Sequence, residues 1–120
     1  MDKKTRVGIE NKNTPKAINK PRIRDLEWAA GFIEADGWFI SSGSKTAQVG
    51  ADQLNKEPLL KLQKYFGGSL REYLHDCIGK PKKVWRWLVT GNRARGVSLT
   101  LFSLMSLKRK EQIKKMFVSK

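Results

Sequence analysis

Two acidic side chains stand close together in the stretch WAAGFIEADGWF, residues 28–39. Glu34 and Asp36 follow an apolar segment typical of a short helix, and Gly37 comes directly after them. Carboxylates are unfavourable at the C-terminal end of a helix, where the helix dipole is negative. A divalent cation would remove that cost, and hard oxygen ligands of this kind suit Mg²⁺. The spacing therefore raises the hypothesis of a metal site at the end of this helix.

Other common catalytic sites are excluded by the composition. His75 is the only histidine and Cys77 the only cysteine. A single histidine and a single cysteine provide neither the ligand spacing of a zinc site nor an internal disulfide. A Ser-His-Asp or Cys-His set of conventional form is likewise not indicated, so a lone His75 is read as a surface or structural residue.

The charge balance points to a polyanionic partner. The 120 residues include 25 Lys and Arg against 11 Asp and Glu, which gives a formal net charge of +14. Such an excess favours nucleic acid first and an anionic membrane surface second. No apolar run approaches the roughly 18 residues of a membrane span, and no secretory signal pattern is visible. We therefore expect an intracellular protein with no membrane partner.

The elements that must position the two carboxylates form one domain. Residues 1–24 carry eight Lys or Arg and are interrupted by Pro15 and Pro21, so we expect an irregular basic arm before a domain at 25–120. Asp25 is predicted as the N-cap of the first helix, and Gly37 as a left-handed residue after its end. The predicted elements are helix 26–36, strands 38–44 and 46–53 joined through 43–45, helix 56–66, strands 69–76 and 83–90, and two final helices.

The order αββαββαα predicts an α+β fold with one four-stranded antiparallel sheet and helices on one face. Strand alternation then leaves polar side chains on the uncovered face. These side chains are Thr46, Gln48, Arg71, Tyr73, His75 and Arg86. They are of the types that bind phosphates and read DNA grooves. The alternative is the ordinary polar exterior of a half-buried sheet, and the strand pattern does not separate the two.

Residues 29–37, AAGFIEADG, resemble the signature nonapeptide of the LAGLIDADG homing endonucleases. Ala29 stands where Leu is usual, and Glu34 occupies a position that accepts either acid. Three further segments are similar to the family: QLNKEPLLKLQKYFGG from Gln53, VWRWLV in the fourth strand, and SLKRKEQIKKMF, which opens the last helix. The resemblance spans about residues 25–118.

This resemblance implies a fold and an activity. It implies a saddle-shaped homing-endonuclease sheet and a homodimer that cuts both strands of a long, roughly palindromic DNA target in the service of intron or intein mobility. It assigns Asp36 as a ligand of Mg²⁺ or another divalent cation such as Mn²⁺, assisted by the Ala35 backbone carbonyl. Gln53 and Lys108 are placed around the attacking water and the transition-state charge. Glu34 has a supporting part.

Sequence recognition is expected from alternate strand residues on the face that would meet DNA. Counting along the pleat from Asp36, these residues are Trp38, Ile40, Ser42, Ser44, Thr46, Gln48, Gly50, Arg71, Tyr73, His75, Arg86, Leu88 and Thr90. Arg71 and Arg86 are each suited to a guanine edge or a phosphate, and the sequence does not say which.

A homodimer is expected from the first helix. Gly31 and Ala35 are four residues apart, which leaves a bare stripe for the close approach of a second helix. The predicted interface residues are Ala30, Gly31, Glu34 and Ala35. The alternative is that the stripe packs tightly on the sheet of its own chain.

Three other functions stay open. The first is an RNA maturase that assists intron splicing, for which RNA replaces DNA as the partner. The second is a DNA-binding regulator without catalysis, and the third is a small basic protein of a ribonucleoprotein. The joint presence of Asp36, Gln53 and Lys108 favours a nuclease over the last two, which need no such set.

Overall fold

A computed structural model of the protein describes residues 20–41, 46–77 and 79–118. The elements are α1 (Ile23–Asp36), β1 (Gly37–Ser41), β2 (Ala47–Gln53), α2 (Glu57–Phe66), β3 (Ser69–Cys77), β4 (Lys80–Thr90), α3 (Gly91–Leu101), a 3-10 helix (Phe102–Leu104) and α4 (Leu107–Lys115). The predicted α+β class and the order αββαββαα are confirmed.

The four strands form one antiparallel sheet in the order β1-β2-β4-β3. Phe39, Val49 and Val89 are aligned across β1, β2 and β4, and all three side chains are buried. The pairing of β2 with β4 ends at Gln53 and Trp85, but β3 and β4 stay paired as far as Cys77 and Lys80. The outer part of β3 and β4 is therefore a two-stranded ribbon that projects beyond the rest of the sheet.

The core lies between the helices and one face of this sheet. Every helix contributes to it: Ile33 from α1, Leu59 from α2, Leu101 from α3 and Ile113 from α4 are at most 1% exposed. These side chains belong to one apolar cluster with Trp87 and the other buried strand residues. Burial of a side chain of this size contributes about 1.5–3 kcal/mol, so the helices are held firmly on one face of the sheet.

The end of α2 is fixed to the sheet by glycines and a buried tryptophan. Gly67 and Gly68 have φ angles of 74° and 99°, in the left-handed region that favours glycine. A Cβ atom on Gly68 would lie 2.5 Å from Val89 Cγ1. The Trp87 indole N–H donates to the Gly67 carbonyl at 2.8 Å. The predicted end of this helix at the glycine pair is therefore confirmed.

The prediction for the start of α1 was wrong. The helix begins at Ile23, three residues before Leu26, and Asp25 lies inside its first turn. The Asp25 carboxylate reaches back and accepts a hydrogen bond of 2.9 Å from the Arg22 backbone N–H. It also accepts one of 3.0 Å from the Tyr65 hydroxyl. Asp25 therefore satisfies a free donor at the helix start from the third helical position.

The prediction for Gly37 was also wrong. Its φ of −115° is extended, because the chain passes directly from α1 into β1 and Gly37 already pairs with Ala51. Glycine is needed there for space instead. A Cβ atom on Gly37 would lie 2.7 Å from the Gly50 carbonyl oxygen and 2.8 Å from Ile33 Cγ2. The close approach of helix and sheet at this point brings Asp36 to the edge of the sheet.

The strand boundaries of the first hairpin and of β4 differ from the predictions. β1 ends at Ser41 and β2 begins at Ala47. The predicted turn at 43–45, together with Ser42 and Ser44, lies outside the described residues, as does most of the basic arm. β4 begins at Lys80 instead of residue 83. Its first four residues are exposed, so they lack the apolar alternation that marks a strand in sequence.

Candidate nucleic-acid interface and metal site

The sheet face opposite the helices is referred to below as the open face. The strand register places on it Trp38, Ile40, Gln48, Gly50, Asp52, Ser69, Arg71, Tyr73, His75, Lys82, Val84, Arg86, Leu88 and Thr90. Thr46 is exposed directly before β2. The predicted sharing of one face is therefore confirmed for the described strand residues, whereas their contact with DNA stays a prediction.

A polar cluster stands in the middle of the open face. Arg86 donates to Asp52 twice, from Nε to Oδ1 at 2.8 Å and from Nη2 to Oδ2 at 3.0 Å. The Tyr73 hydroxyl donates to Asp52 Oδ2 at 2.7 Å and accepts from Arg86 Nη2 at 3.1 Å. Asp52, Tyr73 and Arg86 come from three different strands, so the sheet itself assembles the cluster.

Aromatic rings hold the plane of the Arg86 guanidinium. Its central carbon lies 5.0 Å from the centre of the Trp38 ring and 4.7 Å from that of Tyr73. Both distances are within the range of cation–π attraction. Gly50 makes room for the indole, because a Cβ atom there would lie 2.6 Å from Trp38 Cζ2. The guanidinium is thus oriented by a carboxylate and two rings at once.

The protonation states of this cluster are set by its mutual contacts. Partial burial raises the pKa of Asp52, but the hydrogen bonds from Arg86 and Tyr73 outweigh it, so the pKa lies below its ordinary value. The hydrogen bond to Asp52 raises the pKa of Tyr73 and that of Arg86. Asp52 is therefore a carboxylate and Arg86 a cation near neutral pH.

Beside this cluster the open face is concave and basic. A concavity of about 290 Å³ is lined by Ser69, Arg71, Tyr73, Arg86 and Leu88. Arg71 lies directly across from Arg86 in the β3–β4 pairing and is exposed. Farther out on the ribbon, His75 pairs with Lys82. A two-stranded ribbon of this kind has the width to enter the major groove of DNA.

The three predicted catalytic residues gather at one end of the molecule. Gly37 pairs with Ala51, so Asp36 and Gln53 lie at the same end of the β1–β2 pair. Asp36 is exposed at the last position of α1, and Gln53 is half-buried at the last position of β2. Lys108 is exposed in the first turn of α4, and its charge helps to lower the pKa of Glu34.

Arg109 joins α4 to the junction of α1 and β1. Its Nη2 donates to the backbone carbonyls of Glu34 at 2.9 Å and Gly37 at 3.1 Å. The Ala35 carbonyl and the Asp36 side chain lie between these two anchored positions along the chain. A guanidinium at this place also offsets the negative end of the α1 dipole. Arg109 therefore supplies, from within the chain, part of the positive charge that the sequence analysis attributes to a metal.

Glu34 is engaged by the same helix. Its carboxylate accepts a hydrogen bond of 2.9 Å from the backbone N–H of Ser106, the N-cap of α4, and lies 3.7 Å from Arg109 Nε. Burial raises the pKa of Glu34, but the Ser106 hydrogen bonds and the charges of Arg109 and Lys108 together lower it by more. The pKa of Glu34 therefore lies below its ordinary value. Glu34 fixes α4 against α1, which agrees with a supporting part.

The exposed donors at the end of α1 are compatible with Mg²⁺. Across residues 20–41, 46–77 and 79–118, no group of three or more His, Cys, Asp and Glu side chains lies together. With Glu34 engaged by α4, the exposed carboxylate is that of Asp36. Mg²⁺ in proteins commonly keeps several waters and takes only one or two carboxylates plus substrate phosphate oxygens. Asp36 and the Ala35 carbonyl fit this kind of site.

Of the four predicted interface residues, two are exposed, but Glu34 is half-buried and Ala30 is buried. Gly31 and Ala35 are exposed, and among the described residues no atom beyond the chain neighbours and the adjoining helix backbone lies within 4 Å of the position that a Gly31 Cβ would take. The alternative in which this stripe packs on the sheet of its own chain is therefore excluded. Ala30 is only 3% exposed and belongs to the core, so its assignment to a dimer interface was wrong.

Two residues of these sites were missed by the sequence reasoning. Asp52 has the same strand parity as Gln48 and Gly50, so the alternation in β2 was a signal that could have placed it on the open face. Arg109 offered no such signal, because its partners Glu34 and Gly37 are more than 70 residues away in the chain.

Comparisons with known proteins leave the family open, since neither a protein-family model nor a curated protein sequence matches this chain. No helix in the described ranges has the length and apolar character needed to cross a membrane.

Proposed function

We propose that this protein is a divalent-metal-dependent endonuclease that acts as a homodimer on both strands of a long, roughly palindromic DNA site. The observation that carries the proposal is the position of Asp36. This exposed carboxylate lies at the edge of a sheet whose open face bears Arg71, Tyr73 and His75, with Lys108 and Gln53 at the same end. The similarity of residues 29–37 to the LAGLIDADG nonapeptide supports the same conclusion.

The open face would bind the duplex, and its edge would lie over the scissile phosphodiester. Asp36 and the Ala35 carbonyl would hold Mg²⁺, which supplies Lewis-acid polarisation of a phosphoryl oxygen, a more acidic water and stabilisation of the leaving oxygen. The Gln53 side-chain amide can both donate and accept a hydrogen bond, so it suits the orientation of a water. Lys108 places a positive charge where negative charge grows on the phosphoryl group.

A second copy of the chain would supply the second active site. One exposed Asp36 serves one strand, so cleavage of both strands needs two copies related by a two-fold axis. The exposed Gly31 and Ala35 offer α1 as the place where that axis passes. Symmetry of this kind also explains why the target would be roughly palindromic.

The proposal is tested on a pool of randomised palindromic duplexes incubated with the full chain. In Mg²⁺ we expect a selected set of duplexes to be cut at two positions related by symmetry, and in EDTA we expect binding without cutting. Sequence-selective binding without cleavage in Mg²⁺ or Mn²⁺ would contradict the nuclease and favour a DNA-binding regulator. Selective binding of folded intron RNA over every duplex would favour the maturase.

A further inference from the structure

We propose that Asp52 is a positioning residue that makes Arg86 a reader of a base edge instead of a ligand of the DNA backbone. This inference rests on the proposed binding of duplex DNA to the open face, but not on cleavage. The Asp52–Arg86 pair is the specificity determinant on that face, and the base pair that it selects is G·C.

The first step is the neutralisation of Arg86. Exposed arginines on a DNA-binding face commonly contact phosphates, which fix the register but carry no sequence information. Asp52 occupies the Nε and Nη2 side of the Arg86 guanidinium with two hydrogen bonds of 2.8 and 3.0 Å. A carboxylate at this distance repels an approaching phosphate. Arg86 is therefore a poor phosphate ligand while Asp52 is ionised.

The second step is orientation. The two hydrogen bonds to Asp52 fix one edge of the guanidinium, and the Tyr73 hydroxyl accepts a further hydrogen bond from Nη2. The rings of Trp38 and Tyr73 lie 5.0 and 4.7 Å from the central carbon of the guanidinium. A side chain held by this many contacts loses little further freedom on binding. Pre-organisation of this kind favours recognition of a fixed pattern of donors and acceptors.

The third step is the chemistry that the pair presents. In the major groove a guanine offers the acceptors O6 and N7, and its cytosine partner offers the N4 amino donor. The Asp52 side chain is 28% exposed and that of Arg86 is 42% exposed, so both reach the surface of the open face. Together they offer a cationic donor and an anionic acceptor side by side. The concavity next to them, lined also by Arg71 and Leu88, provides the space for a base edge.

The experiment compares Asp52→Asn with the wild-type chain on the same pool of randomised palindromic duplexes. Ca²⁺ replaces Mg²⁺ so that bound duplexes are recovered uncut, and the base preference at each position is measured. We expect wild type to select G·C at one position of each half-site. Asp52→Asn is expected to reduce that discrimination about fivefold or more, the lower end of the range for one good base contact.

A second readout separates this role from a purely structural one. Once Asp52 is neutral, Arg86 is released to bind a phosphate, so the slope of log K against log salt should steepen by about 0.9 for each copy that gains a phosphate contact. A mutation that merely destabilised the sheet would weaken binding without steepening the slope. Glu72→Gln is the matched control, because it makes the same charge change on β3 but on the opposite face, where Glu72 pairs with Lys83 at 3.6 Å. Its base preference and slope should equal those of wild type.

Tyr73→Phe provides a second test that keeps both charges. It deletes the hydroxyl that contacts Asp52 and Arg86 and should weaken discrimination at the same position. This variant therefore still tests the inference if Asp52→Asn does not fold. Unchanged preference in the folded Asp52 and Tyr73 variants would overturn the inference while leaving the proposed DNA binding intact. Absence of selective duplex binding by wild type would overturn both.

Discussion

At the C-terminal end of α1, the unfavourable contact between carboxylates and the helix dipole is partly relieved by the chain itself. The Arg109 guanidinium donates to the carbonyls of Glu34 and Gly37. The Glu34 carboxylate accepts a hydrogen bond from the backbone N–H of Ser106 at the start of α4. Asp36 is left exposed between these anchors. The residue proposed to bind metal is therefore carried by a junction that hydrogen bonds within the chain hold together.

Removal of the Arg109 guanidinium should loosen this junction. Arg109→Met keeps much of the side-chain volume but leaves the two carbonyls without their donor, which should lower the free energy of unfolding by about 1–3 kcal/mol. Urea denaturation followed by circular dichroism measures it. Arg95→Met is the control, because Arg95 bridges α3 to the Met116 carbonyl through one long contact of 3.5 Å. An equal loss in the control would contradict the special role of Arg109.

Acid should destabilise the protein through Glu34 and Asp52. Both carboxyls have pKa values below their ordinary ones, for the reasons given above. A group whose pKa is lowered by folding stabilises the folded state above its unfolded pKa, about 4.3 for Glu and 3.9 for Asp, and loses that contribution as the pH falls through the folded value.

The midpoint of urea denaturation should thus vary little between about pH 7 and 5 and fall below about pH 4. Glu34→Gln should have a lower midpoint at neutral pH and a shallower fall in acid, since one of the carboxyls with a lowered pKa is gone. A variant that falls as steeply as wild type would show that Glu34 does not contribute.

At the scale of elements, the sequence predicted the arrangement that depends on local periodicity. Alternation in β2 and β4 placed Gln48 and Arg86 on the uncovered face, and the register confirms it, with Val49 and Trp87 buried on the other face. The errors occurred where packing overrides local pattern. Gly37 looks like a helix-ending residue, but the close approach of Gly50 and Ile33 makes it the first residue of a strand.

The candidate site was predictable to the same limited extent. Asp36, Gln53 and Lys108 were named from the resemblance, and the structure brings their elements together. The contacts that support these residues were not predicted, because the link between Arg109 and the α1–β1 junction joins residues far apart in sequence. The Asp52–Arg86 pair likewise depends on the register between β2 and β4, which single-strand patterns do not fix.

The exposed stripe of α1 gives a test of the homodimer. Gly31→Leu should block the close approach of two helices and convert the proposed dimer to a monomer in sedimentation velocity. The monomer fold should tolerate the change, since no other element of the described structure comes within 4 Å of the Cβ position.

Gly96→Leu is the matched control for this substitution. Gly96 is exposed within α3 and equally free of neighbours within 4 Å, so a leucine there should leave the sedimentation coefficient unchanged. A Gly31→Leu chain that sediments as the wild type does would remove α1 from the proposed interface.

At the scale of the whole molecule, the net charge of +14 doubles to +28 in a homodimer. The basic ribbon and the open face place part of that charge along one surface. Binding to DNA should therefore release many counterions. Raising the salt from about 50 to 200 mM should weaken binding by about 10³-fold or more if six or more phosphates are contacted.

The location of the contacts is tested by two lysines. Lys82→Gln removes a charge from the ribbon and should make the salt slope shallower by about 0.9 for each copy that contacts a phosphate. Lys64→Gln removes the same charge from α2, on the helix side of the sheet, and should leave the slope unchanged. Equal effects of the two changes would mean that the open face is not the surface that follows the DNA backbone.

The most direct test of the account is single-turnover cleavage by Asp36→Asn, measured beside its affinity for the same duplex. We expect cleavage in Mg²⁺ to be abolished, because the carboxylate proposed to hold the metal is gone. Binding should stay equal or become slightly tighter, since a negative charge beside the phosphates is removed. Glu34→Gln should retain more activity than Asp36→Asn. Cleavage by Asp36→Asn at a rate near that of wild type would contradict the catalytic assignment, and loss of folding would make Asp36 a structural residue.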